Sequence, residues 1–593
     1  MARIFILSIL FAGLFFSVKG QTNPEITTPD IMQHIAILAN DSLEGRQPGT
    51  PGDAKAEHYI ISQFQHAGLT LLFEEGHQNF ELITEVNAAE DCSFVSNGID
   101  LNIDKDFAPA LFSGNGEVNA QAAFCGYGFE IDTEELKWND FQDIDINGKW
   151  AMILNGDPEI DSVMSVFIPY SNDRTKVFNA VDKGAAGVII VTPATANPTD
   201  VLPKMYFDRS GASAPVPVIY ITRKTANLLL EGTTTITEVT KKLNTERAPN
   251  SFAISKNIVS HITMEKKSST TANIVAFLEG TDPNLKDEYI FVGAHFDHLG
   301  YGGPGSGSRM PDTTAIHNGA DDNASGVAAV LELAQYFSQS GADHPRSMIF
   351  AAFSAEESGL VGSKFLSKHL PVDAEKIVAM INFDMIGRYN REKGKISIGG
   401  TGTSLEADSI IDIVAKNRIF GVAKSPDGYG PSDHASFYSA GIPVFFISTG
   451  AHKDYHTPMD DVEFIDGEGA KDITIFGADL IASISALEKP LTFQRTASAA
   501  KGSRSGMRLK VTLGIMPDMV SQDNNGLGVD GVRPGGPADK GGILNGDRIV
   551  AINGAKVTNI YDYMHRLGKL KPGETAVVEV IRNGENEVLL IQL

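Results

Sequence analysis

The period of hydrophobic positions changes several times along the chain, and each change predicts a different kind of element. Arg3 is followed by an apolar run, Ile4 to Phe16, which gives way to the polar Gln21-Thr22-Asn23-Pro24. The run is too short for a membrane-crossing helix; with Val18 and Gly20 as cleavage-site residues it predicts an export signal over residues 1–20. Thr28 to Leu69 predicts helix, loop and helix, the loop Glu44-Gly45-Arg46-Gln47-Pro48-Gly49-Thr50-Pro51-Gly52 being dense in turn formers. In the second helix Ala54, Ala56, Tyr59, Ile60, Phe64 and Ala67 recur at near-helical spacing. Over 108–244 short runs such as Ala122 to Phe129, Lys149 to Leu154, Gly187 to Thr192 and Val216 to Thr222 predict a β-rich module with few helices. From Ala272 to about Glu488 apolar strands alternate with amphipathic helices, which predicts an α/β fold, a mostly parallel mixed sheet flanked by helices. Residues 489–507, rich in Ser, Ala, Gly and basic side chains, read as a linker. Residues 508–593 return to β-type runs and Gly-rich turns, with one helix at Ile560 to Leu570.

Length sharpens this division. At roughly 150 residues per domain, 593 residues predict about four domains; the pattern resolves them into a leader and three modules. The α/β domain takes 25–105 and 250–488, interrupted by the module at 108–244. With 49 Lys+Arg against 74 Asp+Glu, the formal charge of -25 repels phosphate backbones and argues against nucleic-acid binding. No later segment has the roughly 18 uninterrupted apolar residues of a membrane span, so the expectation is an exported protein, periplasmic or secreted. Cys92 and Cys125 are the two cysteines, too few for a disulfide scaffold, and they read as unpaired.

The chemistry sits in the α/β region. Four predicted strands each end near a side chain able to bind a metal: Tyr289 to Ala294 before His295, Met348 to Phe353 before Glu356 and Glu357, Val378 to Phe383 before Asp384, and Val444 to Ile447 ahead of His456. Ligands of open α/β sheets bind at the carboxyl ends of the strands, so these residues can converge. Asp322 joins them from a turn-rich loop that opens a helix carrying Val327, Val330, Leu331, Ala334 and Phe337 on one face. Two imidazoles and three carboxylates suit zinc. Two divalent ions bring four charges; Asp322, Glu357 and Asp384 return three and a bridging hydroxide the fourth. Glu356 is then free to act as general base. Asp297, two residues from His295 on an extended chain, can fix the tautomer of that ring. His298, His317, His344 and His452 read as surface or loop histidines, and the Gly-rich Tyr301 to Ser308 as a flexible rim loop.

Taken in order, Gly293-Ala294-His295-Phe296-Asp297, Gly319 to Gly326, Ala355 to Ser363, Asn382 to Gly387 and Tyr455-His456-Thr457-Pro458 resemble the signatures of the co-catalytic dizinc aminopeptidases, metallopeptidase family twenty-eight. That family also includes glutamate carboxypeptidase and the glutaminyl cyclases. The resemblance implies a zinc exopeptidase fold with two Zn2+ ions. Asp322 would bridge them, with Asp321 as rival bridge. His295 and Asp384 would complete one site, Glu357 and His456 the other, with Glu356 as base. It further implies a cis peptide after Asp322, and a carbonyl-polarising or packing role for Tyr455. Ser432-Asp433-His434-Ala435-Ser436-Phe437 resembles a supporting segment. Residues 108–244 resemble a protease-associated domain through Cys125 to Phe129 and Asn147 to Leu154, and 508–593 a PDZ domain whose Leu513-Gly514-Ile515 would hold a peptide C-terminus. The expected activity is removal of N-terminal residues from peptides; a carboxypeptidase, a glutaminyl cyclase and an inactive peptide-binding relative are the alternatives.

Overall fold

The structure is a computed structural model describing residues 24–159, 165–209, 211–496, 510–518 and 524–593. The export signal read at 1–20 and most of the linker read at 489–507 lie outside the described residues. The first helix, Thr28–Leu38, starts where the Thr27 hydroxyl accepts from the Asp30 amide, and it buries Ile31, Ile35 and Leu38. The second, Pro51–His66, is capped in the same way by Thr50 and buries Ala56, Ile60 and Phe64. Ala54 faces solvent, and the buried stripe runs through Ala56, Ile60 and Phe64 at i, i+4 and i+8. Between the helices the turn-rich loop coils into a tight segment, Asp41–Arg46.

These helices pack with Gly326–Gln339 and Gly467–Ser485 on one face of a nine-stranded sheet. Val361–Lys368 and His434–Ser439 cover the other face. Ser347–Phe353, Tyr289–His295, Ile377–Phe383 and Val444–Ser448 lie side by side and parallel at its centre. Met264–Leu278 and Lys395–Gly399 flank them antiparallel, giving a mixed sheet with a parallel centre. Cover on both faces is why the central strands are continuous apolar runs. Their register brings the strand ends into line: His295 lies beside Phe353, Gly293 beside Asn382, and Phe383 beside Ile447. The helix Gly326–Gln339 departs from the one-faced reading. It is buried continuously from Gly326 to Ala334, because other helices cover the side turned away from the sheet.

The middle of the chain builds an eight-stranded sheet that reaches further than the span 108–244. Ser93–Ser96 and Ile99–Asp100 join it from the N-terminal side, and Ser251–Ile262 pairs along Gly116–Cys125. The module also carries three helices, Asp173–Asp182, Arg223–Leu229 and Ile236–Glu246. The chain enters and leaves it through one antiparallel ribbon, His77–Ala88 against Met264–Leu278, with Ala88 opposite Met264. Cys92 and Cys125 are both free. No helix among the described residues is long and apolar enough to cross a membrane.

A six-stranded C-terminal sheet carries the helix Ile560–Lys569, which packs against the helix Asp173–Asp182 of the inserted module. Asp182 accepts from His565 Nε2 at 3.0 Å and Lys569 Nζ at 2.6 Å, and it also pairs with Arg566. Burial pushes the Asp182 carboxyl up, but these three bonds prevail and hold it below the usual range. A carboxyl depressed by folding stabilises fully above its unfolded value of about 3.9 and loses that contribution as the pH falls below it. Asp182→Asn is therefore expected to lower the calorimetric melting temperature of the C-terminal unit at neutral pH, the gap to wild type narrowing progressively below about pH 4. A gap unchanged by pH would remove the charge from the account.

Candidate active site

Each strand end delivers its side chain through a short, irregular piece of backbone. His295 closes its strand, buried, with Nδ1 3.2 Å from the Asp297 carbonyl and 3.7 Å from the Asp297 carboxylate. An oxygen on Nδ1 places the ring proton there and leaves Nε2 as a lone-pair donor. Nε2 lies 3.4 Å from Asp322 Oδ1 and 3.6 Å from Asp384 Oδ1. His456 repeats the device: Nδ1 is 3.1 Å from the Gly307 carbonyl, and Nε2 is 3.1 Å from Glu357 Oε1 and 3.3 Å from Asp322 Oδ2. The two oxygens of Asp322 thus face two clusters, His295 with Asp384 and His456 with Glu357. Asp321 points elsewhere, accepting from the Gly387 amide at 2.6 Å and from Ser325 Oγ at 3.0 Å.

The Asp322 loop is pinned from three directions. The Asp460 carboxylate accepts from the amides of Asp321 and Asp322, both at 3.0 Å. Asn323 donates to the Phe383 carbonyl at 3.0 Å and accepts from the Met385 amide at 3.2 Å, tying the loop to the Asp384 strand. The Asp322-Asn323 peptide is cis. Gly319 turns the chain at φ 56, where a Cβ would meet the Asp322 carbonyl oxygen at 2.0 Å. Asp297 has a second task besides His295: its carboxylate accepts from the amides of Glu356 at 3.0 Å and Glu357 at 3.3 Å.

Below these loops lies Arg46, fully buried. Its guanidinium donates to the carbonyls of Leu38 at 2.6 Å, Phe296 at 2.6 Å, Asn318 at 2.5 Å and Gly319 at 3.1 Å. One side chain of the Glu44-to-Gly52 loop thereby ties together the chain around His295 and the chain before Asp322. Burial lowers its pKa to about 10, while Asp297, Asp322, Asp460 and Glu357 support the charge.

Electrostatics separate the two adjacent glutamates. Burial and the charge of Asp322 push Glu357 up, but His298 and His456 prevail and set it at about 2. Burial holds Glu356 well above the usual range, aided by Glu357, Asp433 and Asp384 and opposed by His295. Neighbouring charges and burial thus displace the two glutamates in opposite directions, Glu357 down and Glu356 up.

The donor atoms suit a divalent metal. His295, Asp322 and Asp384 form one group able to hold an ion, and His298, Asp322 and Glu357 another. Neighbouring donors stand 3.1 to 3.6 Å apart. Tetrahedral ligands at about 2.0–2.1 Å from an ion are about 3.3 Å from one another. Asp322 Oδ2 and Asp384 Oδ1 are buried without a hydrogen-bond partner in the protein, the state of a ligand atom awaiting an ion.

Residues 273–480 match the family model described as peptidase family M28, 114–229 that of the PA domain and 511–593 that of the PDZ domain. The chain carries a peptidase family M28 domain. It also carries an inserted PA domain and a C-terminal PDZ domain. Leupeptin-inactivating enzyme 1 of Streptomyces exfoliatus is 34% identical over 194 residues, covering 32% of this chain and 38% of that protein. A probable leucine aminopeptidase of Trichophyton verrucosum (strain HKI 0517) is 32% identical over 183 residues, covering 30% and 45%. The chain thus spans less than half the length of either relative. An aminopeptidase structure from Aneurinibacillus sp. strain AM-1 superposes with a TM-score of 0.46 at 23% identity, covering 79% of this chain and 95% of that one.

Within the M28 domain several histidines depart from the sequence reading. His298 is buried, its Nδ1 3.0 Å from Glu357 Oε1, because the chain after Asp297 turns back under the Glu44-to-Gly52 loop, where the His298 amide donates to the Arg46 carbonyl. His317 is buried against Ser308 Oγ at 2.8 Å, and His344 against the edge of Phe337. His452 is half-buried, with Nε2 3.3 Å from Asp321 Oδ2. The loop Tyr301 to Ser308 does lie at the site rim, and its glycines make room for neighbours. A Cβ on Gly302 would meet the His317 ring at 2.1 Å, and one on Gly305 the Phe207 carbonyl at 2.6 Å. Tyr455 stacks on His456 with ring centres 3.9 Å apart. Asp433, in the supporting segment, is buried with both carboxylate oxygens unpartnered, and burial raises it to about 7. Sequence reasoning passed over Asp460 and the central place of Arg46. Asp460 stands four residues after His456, a spacing that by itself signals only a loop.

Proposed function

We propose that the chain is an exported zinc aminopeptidase that releases N-terminal residues from peptides. The convergence of four donor side chains, His295, Asp384, Glu357 and His456, on the two oxygens of the Asp322 carboxylate carries this reading. His295 and Asp384 would hold one Zn2+, Glu357 and His456 a second, and Asp322 both. When bound, the ions supply the Lewis acidity that activates water and polarises the scissile carbonyl. Glu356 accepts a proton from the attacking water and hands it to the leaving nitrogen, the task to which its raised pKa fits it. Asp297 keeps the His295 ring oriented and the Glu356-Glu357 backbone fixed. Tyr455 stacks on His456 and steadies that ring at the rim. The relatives, probable leucine aminopeptidases among them, favour this exopeptidase direction.

The division into a catalytic domain over 25–105 and 250–488, an insertion between and a PDZ domain over 508–593 belongs to the same proposal, with Ser93–Asp100 and Ser251–Ile262 assigned to the insertion's sheet. So does export on the Ile4-to-Phe16 run, to the periplasm or beyond. Leu513, Gly514 and Ile515 would receive the C-terminal carboxylate of a peptide ligand. A paired digestion tests the activity: free-amine and N-blocked peptide libraries, each with and without 1,10-phenanthroline. The expected result is single residues released from free amino ends alone, abolished by the chelator and restored by Zn2+. Residues lost from the carboxyl end, or cyclised N-terminal glutamine, would overturn it.

A further inference from the structure

The Glu356-Glu357 pair is held by its main chain. Both amides go to Asp297, and the Glu356 carbonyl accepts from the amides of Gly359 and Leu360, both at 2.8 Å. Ala355 and Leu360, on either side, sit at φ 56 and φ 63, so the turn depends on such contacts to keep its shape. The Glu357 carbonyl is held from outside the peptidase domain. Arg209 Nη1, reaching over from the PA domain, donates to it at 2.9 Å. Arg209 is itself at φ 60, a conformation that side chains other than glycine adopt at a cost.

The contacts that keep Arg209 there come partly from the third domain. Asp208 accepts from Arg174 at 2.7 Å and from the Tyr561 hydroxyl of the PDZ domain at 3.3 Å. The Arg174 guanidinium lies over both the Phe112 and Tyr561 rings. On the other side, the Ser213 carbonyl accepts from Asn559 at 3.0 Å and its amide donates to Asn524 at 3.3 Å. Asn559 also caps the helix Ile560–Lys569, accepting from the amides of Tyr561 and Asp562. Beneath, the Gly-rich rim loop lets the Phe207 carbonyl approach Gly305. The three domains therefore meet at one short stretch of chain, and its charged tip ends on the turn that carries the base.

We propose that Arg209 is a positioning residue for the Glu356-Glu357 turn, supplied by the PA domain and kept in place by the PDZ domain through Tyr561 and Asn559. In its kinetic part this rests on the hydrolytic reading above. A guanidinium on a backbone carbonyl fixes a direction that a single water does not, and small misplacements of a catalytic group are costly. In the full-length protein, Arg209→Ala is expected to lower kcat on aminoacyl p-nitroanilides about tenfold or more, with KM within about twofold and zinc content unchanged after dialysis. Backbone amides of Glu356 and Glu357 should exchange with deuterium about tenfold faster. Arg209→Lys should recover part of both losses, and Asn559→Ala with Tyr561→Phe should reproduce them more weakly. Wild-type kcat and exchange in Arg209→Ala would overturn the proposal, as would a raised KM at unchanged kcat, which would make Arg209 a substrate contact. If the wild-type protein hydrolyses no peptide, the hydrolytic reading fails, and the exchange comparison alone decides the role of Arg209.

Discussion

Glu356→Gln is expected to yield a protein that takes up the same zinc as wild type but hydrolyses aminoacyl p-nitroanilides at least about a hundredfold more slowly, the lower bound for loss of a general base. The two properties separate because Glu356 lies outside the donor groups around Asp322, while its backbone amide is held by Asp297 whatever its side chain. The amide of glutamine fills the same space and cannot accept the proton. Its neighbour serves as the control: Glu357→Gln removes a donor that stands 3.1 Å from His456 Nε2, and should lower metal content together with rate. Metal analysis after dialysis, run beside the kinetics, checks both. A Glu356→Gln protein with intact kcat would remove the base assignment, and one that loses its zinc would move Glu356 into the ligand set.

Arg46→Ala is the substitution expected to cost the most stability. Four carbonyl oxygens lose their donor at once, three buried carboxylates lose a supporting cation in Asp297, Asp322 and Asp460, and a large cavity opens beneath the ligand loops. Removing one partner from a buried charged network costs about 3–5 kcal/mol. Denaturant unfolding of the metal-free protein measures it without confusion from zinc binding. Arg46→Lys should recover only a minor part, because an ammonium has three donors on one atom and cannot span carbonyls on three chain segments. A loss under about 1 kcal/mol for Arg46→Ala would show that water substitutes for the guanidinium.

The central strands and the clustering of the candidate donor residues at their ends were legible because their signals are local. A strand buried on both faces is a continuous apolar run, and a chelating side chain just beyond its last residue stands out. The motif favours Asp322 over Asp321, and in the structure the two carboxylates diverge, one to the histidines and one to the Gly387 amide. What stayed hidden depends on partners distant in sequence. Ser251–Ile262 falls inside the span 250–488 assigned to the peptidase part, but it pairs with Gly116–Cys125 of the inserted module. His298 looks like a loop residue because its burial comes from the Arg46 loop, some 250 positions earlier. Asp460 accepts from backbone amides and Arg209 donates to a backbone carbonyl, and a backbone partner leaves no mark on the sequence that supplies it.

The ribbon His77–Ala88 with Met264–Leu278 has an engineering consequence. Because Ala88 and Met264 face each other across the two strands, the ends of everything between them lie one strand spacing apart, about 5 Å. The intervening stretch is topologically a cassette: a two-residue turn joining these positions would close the ribbon as an ordinary hairpin without rerouting the peptidase sheet. The same geometry lets a different insert be spliced there, so the reach and chemistry of whatever overhangs the metal-binding edge can vary while the strands that present His295, Glu357, Asp384 and His456 stay the same.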